Sequence, residues 1–444
     1  MSSTTVTRSG IGPELRASSL LAAPIVLGNL AMIGASVVDM VMAGHLGGSV
    51  LGAVAVGLNV WMVGLVGTAG LMQAISPSVA QLDGAGRRQE IGAFVRQALY
   101  LALAVGCVLG LLCYFGGPLL LRAMGVPAGL VAGGSEFLHA VAFMAPALAL
   151  CLVCRGLCEG LSLPGLPMAV NLLGLPVLAG ISYLLMYQLD MGAFGSGLAT
   201  SVVSWLQFGV YAVAILRGRD YRRLGWGGGR YGPDVAVLAG LLRLSLPMAF
   251  SSVMEVGMFS AAALAVGRFG ETAVAGHQIA INVASVSFMV PMGISAAVTV
   301  RVGRAIGGGD RAGARLAGLV GMAMAVACQA VACGLMLAIP GAIVGLYTSD
   351  PAVVAVALGL LFLAALFQLS DGLQVACIGA LRGMKDARVP MVITMLAYWG
   401  VGMPVGLLLA FPLGMGTPGM WVGLVAGLTV AAGLFFGRFM SRTS

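Results

Sequence analysis

Long apolar runs separated by short polar turns occupy nearly the whole chain. A membrane-spanning helix needs about 20 mostly apolar residues. Twelve runs meet that length, at about 17–44, 51–80, 95–115, 136–160, 168–188, 195–216, 240–267, 273–300, 316–339, 352–381, 390–411 and 418–437. With lipid as the solvent, every backbone group must be satisfied inside helices. The expected fold is therefore an all-α polytopic membrane protein of twelve transmembrane helices. The longest polar connection, 217–235, splits the runs into two sets of six. This predicts a cytoplasmic tail at 1–16, an N-lobe bundle at 17–216 and a basic cytoplasmic linker at 217–239. A C-lobe bundle at 240–437 and a tail at 438–444 complete the chain.

Composition agrees: 60% of residues are hydrophobic and 9% charged, against roughly 25% charged in soluble domains. The net charge of +8 suggests nucleic acid until the basic residues are placed. Lys and Arg collect on the cytoplasmic side of membrane proteins. With the N-terminus inside, every Lys and Arg except Arg122 and Arg268 falls on that side. Both termini are then cytoplasmic, and no nucleic-acid partner is needed. Residues 1–16 are polar with two Arg, so no signal peptide is expected and the first run is a retained anchor. The eight Cys lie in apolar runs; Cys151, Cys154 and Cys158 share one helix, where packing is favoured over a metal site. No GxxxxGK[ST] or HExxH motif occurs, so neither direct ATP hydrolysis nor zinc-protease chemistry is expected, nor any cofactor.

The first half, shifted by 223 residues, lands on the second. Pro24 meets Pro247, Asn59 meets Asn282 and Gly70 meets Gly293. Gly44 and Gly47 meet Gly267 and Gly270; Gly86 and Arg88 meet Gly309 and Arg311. Gly156 and Gly160 meet Gly379 and Gly383, and Pro167-Met168 meets Pro390-Met391. An even number of spans per repeat gives two parallel repeats about an axis along the membrane normal, an arrangement used by secondary transporters. A central cavity and alternating access follow as expectations. Pro24 and Pro247 each remove a helix hydrogen bond and are candidate hinges.

Three acids break the symmetry. Asp39 meets Ala262, Glu255 meets Met32 and Asp371 meets Leu148. Charges inside a bilayer are costly and mark ion or substrate pathways. Glu255 and Asp371 fall near mid-membrane and are candidates for one shared site; Asp39 lies nearer the outer side. Such carboxyls can carry H⁺ or take Na⁺ and exchange it for an organic cation. Gln368 and Gln374 bracket Asp371 and offer oxygens, and Phe367 offers a ring face to a cation. Arg155 and Glu159, one turn apart, are expected to pair. His139 and His277 are expected to act as hydrogen-bonded packing rather than proton carriers. The 26 Met suit an adaptable cavity and equally suit lipid-facing filler.

The segments VVDMVMAGHLG, SVAQLDGAGRRQEIG, LPMAFSSVMEVGMF, AGHQIAINVASVSFMVPMGISAAVTVRVGRAIGGGD and LFQLSDGLQVACIGALRGMKDARVPM resemble multidrug and toxic compound extrusion (MATE) transporters of the NorM type. The resemblance spans about 15–437. It implies two six-helix lobes around a cavity and export of organic cations, drugs and dyes, in exchange for H⁺ or Na⁺. It also implies a bacterial inner-membrane location and a monomer in the bilayer. Glu255 and Asp371 match the C-lobe acids, where Na⁺ is an admissible ligand, and Asp39 matches the N-lobe acid. Phe367 stands where the pattern can have Tyr. Thr200 matches an N-lobe polar position, and Asn171, Gln278, Asn282 and Gln368 are further supporting candidates. The pattern carries Asn where this chain has Leu178 and Ser182. Two other readings remain. A lipid or lipid-linked sugar flippase tends to need cationic residues, whereas these charges are acidic. An intramembrane aspartyl protease lacks its motifs here.

Overall fold

A computed structural model of the chain describes residues 10–227 and 232–444. Arg8 of the N-terminal tail and Arg230 of the basic linker lie outside the described residues. Eleven single helices and one bent pair are long and apolar enough to cross a membrane. The first six are α1 (Ile11–His45), α2 (Gly48–Gly84), α3 (Arg88–Ala123), the pair α4 (Ala128–Ala142 with Met144–Gly160, bent by 45°), α5 (Gly165–Gln188) and α6 (Gly192–Arg217). The second six are α7 (Val235–Phe269), α8 (Glu271–Gly307), α9 (Arg311–Ala338), α10 (Pro351–Gly383), α11 (Arg388–Ala410) and α12 (Thr417–Thr443). No strand occurs among the described residues. Large side chains such as Phe115 and Leu264 are exposed, as a lipid-facing surface requires. Helix α1 begins at Ile11, a turn and a half before its apolar run, so part of the expected tail is helical.

The repeat reappears in the backbone. Positive φ falls at Ser162 and Lys385 (62° and 58°), at Gly86 and Gly309 (73° and 76°), and at Gly47 and Gly270 (115° and 97°). Each pair is 223 residues apart. Close packing repeats as well. A Cβ at Gly160 would meet Ser76 O and Val79, and one at Gly383 would meet Thr299 O and Val302. Helix association in lipid depends on such small-residue contacts, because apolar burial gains little against lipid tails.

Two compact units form, one from residues 27–249 and one from 10–26 with 250–444. Their boundaries fall inside α1 and α7, two residues after Pro24 and Pro247, and are again separated by the repeat offset. Each of these helices begins in one unit and continues in the other. The contacts are reciprocal. In the 27–249 unit, a Cβ at Gly70 of α2 would lie 2.5 Å from Ala249 Cα of α7. In the other unit, Gly293 of α8 meets Val26 of α1. Farther along the α7 head, Leu241 packs into a core with Val79, Val153 and Ile215. The α1 head is fastened by Arg301 of α8, which donates to both oxygens of the buried Glu14 at 2.8 and 2.5 Å. Ser18 adds a third bond to that carboxylate. The linker is tied down by Gln97, which donates to Gly232 O (2.9 Å) and accepts from the Asp234 amide (2.8 Å).

Candidate functional site

Glu255 sits just past the boundary within α7, in the second turn of that helix belonging to the 250–444 body. Its carboxylate accepts from Gln374 Nε2 of α10 at 3.2 Å and from the Tyr398 hydroxyl of α11 at 3.4 Å, both at Oε1. Asp371 lies on α10 one turn before Gln374, is 3% exposed, and interacts electrostatically with Glu255. Arg382 is within electrostatic reach of Glu255, yet neither acid forms an ion pair among the described residues. Tyr398 is fully buried within a π-helical stretch, Met395–Gly402. The wider helical turn there changes which side chains share a face. Both donors to Glu255 are neutral, and among the described residues no cation is hydrogen-bonded to its charge.

The structure brings together Glu255, Asp371, Gln374 and the unanticipated Tyr398. Phe367 is buried one turn from Asp371 and meets Phe259 and Trp421 edge to face, each at 6.0 Å between ring centres. Gln368 behaves differently from the expectation that it offers oxygen to Asp371. Its oxygen accepts from Gln329 Nε2 of α9 (2.9 Å), and its Nε2 donates to Ser287 of α8. Gln329 is a lone amide in an otherwise apolar run, and that is the signal by which it was findable. Asn282 accepts from the Tyr347 hydroxyl at 2.8 Å, and both Asn282 and Gln278 are exposed on α8.

In the 27–249 unit, Asp39 Oδ1 is buried without a hydrogen-bond partner. Four residues before it, Ala35 packs against Leu178, Ala199 and Val203; three after it, Met42 O accepts from Tyr187 at 2.7 Å. Asp39 is thus on the α1 face turned to α5 and α6, since residues three and four apart share a face. At the same level, by register, are Ser182 of α5 and Ser196 of α6, whose buried hydroxyls also have no partner. Thr200 instead donates to Ser196 O of its own helix at 2.8 Å. Asn171 donates to Gly28 O at 3.3 Å, about 16 Å along α1 from Asp39 at 1.5 Å per residue. It does not take the place of the missing Asn.

Arg155 and Glu159 pair at 2.6 Å as expected. Arg155 also donates to Asn29 Oδ1 at 2.8 Å, fixing α1 immediately past its boundary. His139 packs against Tyr114 with its ring tilted by 33°, and His277 accepts from the Trp421 indole N–H at 3.1 Å. All eight Cys are free, and Cys158 bonds the Tyr221 hydroxyl at 3.3 Å.

Known proteins share both the sequence and the fold. A probable multidrug resistance protein NorM of Xanthomonas campestris pv. campestris is 43% identical over 431 residues, covering 96% of this chain and 94% of the relative. Multidrug resistance protein MdtK of Yersinia enterocolitica is 38% identical, with 94% and 93% covered. Among solved structures, the eukaryotic MATE transporter AtDTX14 matches with a TM-score of 0.87 at 20% identity, covering 98% of this chain and 100% of its own. A MOP superfamily transporter from Pyrococcus furiosus matches with a TM-score of 0.89 at 20% identity over 97% and 96%. The MatE family model matches twice, at residues 24–184 and 247–408, its two starts falling on Pro24 and Pro247. The chain belongs to the MatE family.

Proposed function

We propose that this chain exports small organic cations, drugs and dyes, across a bacterial inner membrane in exchange for inward H⁺ or Na⁺. The names of its curated relatives, multidrug resistance proteins, support the export reading. The carrying observation is the half-buried Glu255, bonded by Gln374 and Tyr398 and in electrostatic contact with the buried Asp371. In this reading one coupling ion and one organic cation compete for the pair. Binding at Glu255 acts on α7 a turn and a half past the point where that helix leaves the 27–249 unit. Pro24 and Pro247, two residues before the boundaries, serve as hinges for alternating access. Asp39, with the unpartnered Ser182 and Ser196 hydroxyls, forms a second cation site. The bias of basic residues puts both termini in the cytoplasm, and one chain supplies both repeats, so a monomer suffices.

The test uses everted membrane vesicles containing the full chain. Vesicles loaded with acid or with Na⁺ are expected to accumulate ethidium, Glu255→Gln and Asp371→Asn to abolish this, and Asp39→Asn to reduce it. Accumulation under neither gradient sinks the antiport. Normal transport by both C-lobe variants sinks the coupling site.

A further inference from the structure

The acidic pair has an aromatic cover. Helix α7 runs away from the basic end of the bundle, and α10 runs toward it. Phe259 follows Glu255 by one turn and Phe367 precedes Asp371 by one turn, so both rings lie just beyond the acids on the same side, away from the basic end. They meet each other edge to face at 6.0 Å and 68°. Behind Phe367 stands Trp421 of α12, fully buried, at 6.0 Å and 71°. Behind Trp421 stands His277 of α8, 2% exposed. An indole N–H only donates, so the 3.1 Å bond to His277 Nδ1 requires an unprotonated Nδ1 and fixes the neutral imidazole with its proton on Nε2.

We propose that His277 is a positioning residue for cation recognition: through Trp421 it holds the Phe367 ring over Asp371, against Phe259, as a fixed aromatic face for organic cations. This rests on the reading of Glu255 and Asp371 as the cation site. Offset and edge-to-face aromatic pairs are directional, and a cation gains from a ring face only when that face stays in place. A buried indole N–H left unbonded has reason to rotate toward another acceptor, and the Phe367 ring would lose its backing. His277 touches neither acid in this arrangement; its effect passes through two rings.

The experiment measures equilibrium ethidium binding to the purified full chain, with binding of the coupling ion, Na⁺ or H⁺, measured in parallel. His277→Leu and Trp421→Phe each remove the hydrogen bond while keeping apolar bulk, and His277→Asn keeps an acceptor near the Nδ1 position. The expected result is about 3–10-fold weaker ethidium binding in His277→Leu and in Trp421→Phe, as for loss of one hydrogen bond. His277→Asn stays near wild type, and the double variant His277→Leu/Trp421→Phe is no weaker than the weaker single. Coupling-ion binding is unchanged throughout, which a general loss of folding would not allow. The inference is overturned if both singles bind ethidium like wild type, if His277→Asn falls as far as His277→Leu, if the two losses multiply, or if coupling-ion binding falls in step. Glu255→Gln and Asp371→Asn run alongside. Normal ethidium binding by both overturns the underlying site, a result distinct from failure of the His277 series.

Discussion

Arg301 holds both carboxylate oxygens of Glu14 although 287 residues separate them in sequence. The acid is 3% exposed, so it depends on that partner. Removing one member of a buried pair leaves the other charge uncompensated, a cost of roughly 3–5 kcal/mol for full burial. Arg301→Leu should therefore lower the melting temperature of the purified protein more than Glu14→Gln, because Arg301 is the more exposed member at 28%. The exchanged pair Glu14→Arg/Arg301→Glu should recover part of the loss. Equal destabilisation by both singles, with no recovery, would show that the ion pair does not fasten the α1 head.

Gly70 and Gly293 occupy equivalent places but are not equally tolerant. A methyl at Gly70 meets Ala249 backbone at 2.5 Å. At Gly293 the nearest atom is a Val26 side-chain methyl, with backbone no closer than 3.1 Å. Overpacking costs about 1–3 kcal/mol, so Gly70→Ala should reduce ethidium transport severely and Gly293→Ala mildly. Transport per folded molecule checks this, and the reverse order counts against the packing account.

Tyr398 and Gln374 each donate to the same oxygen of Glu255. Tyr398→Phe keeps the ring and removes one donor, so the driving ion should meet a differently balanced carboxylate. The expected outcome is a change of about 3–10-fold in the half-saturating H⁺ or Na⁺ concentration, with the maximal rate within about twofold. A rate loss without a shift in ion dependence would place Tyr398 in packing alone.

Ser162 and Lys385 hold left-handed backbone that glycine adopts more readily, so Ser162→Gly and Lys385→Gly should each stabilise by up to about 1 kcal/mol. Lys385 lies between α10 and α11, and burial lowers the pKa of its ammonium. A cation whose folded pKa is depressed destabilises the fold while charged, and this penalty fades as pH rises from the folded toward the unfolded value. The gain from Lys385→Gly should therefore be largest at neutral pH and shrink under alkaline conditions. Ser162→Gly should show no such trend. Melting curves across pH decide.

The twelve spans, the repeat and the three acids were legible because each leaves a local mark: an apolar run, a fixed offset, a charge in the wrong solvent. The bend in α4 at Phe143 and the early start of α1 were less so, since hydropathy does not register a change of direction or a polar first turn. Tyr398 was missed because its approach to Glu255 depends on a π-helical stretch, which shifts helical phase without changing composition. Sequence distance alone puts Gln368 beside Asp371, whereas its amide is turned to Gln329 and Ser287. The exchange of helix heads leaves no mark at all: it is decided by which of two similar surfaces, Gly70 or Gly293, receives Val26 or Ala249.

That exchange bears on how the molecule can be taken apart. Helix α7 takes in the last five residues of the expected 217–239 linker, and a break in the remainder separates the sequence repeats but not the packed bodies. The first fragment would keep residues 10–26, whose place is beside Arg301, and would lack 235–249, which complete its own core around Leu241. The second fragment would be missing a helix end and carry a surplus one. Neither sequence half contains the whole of one packed body.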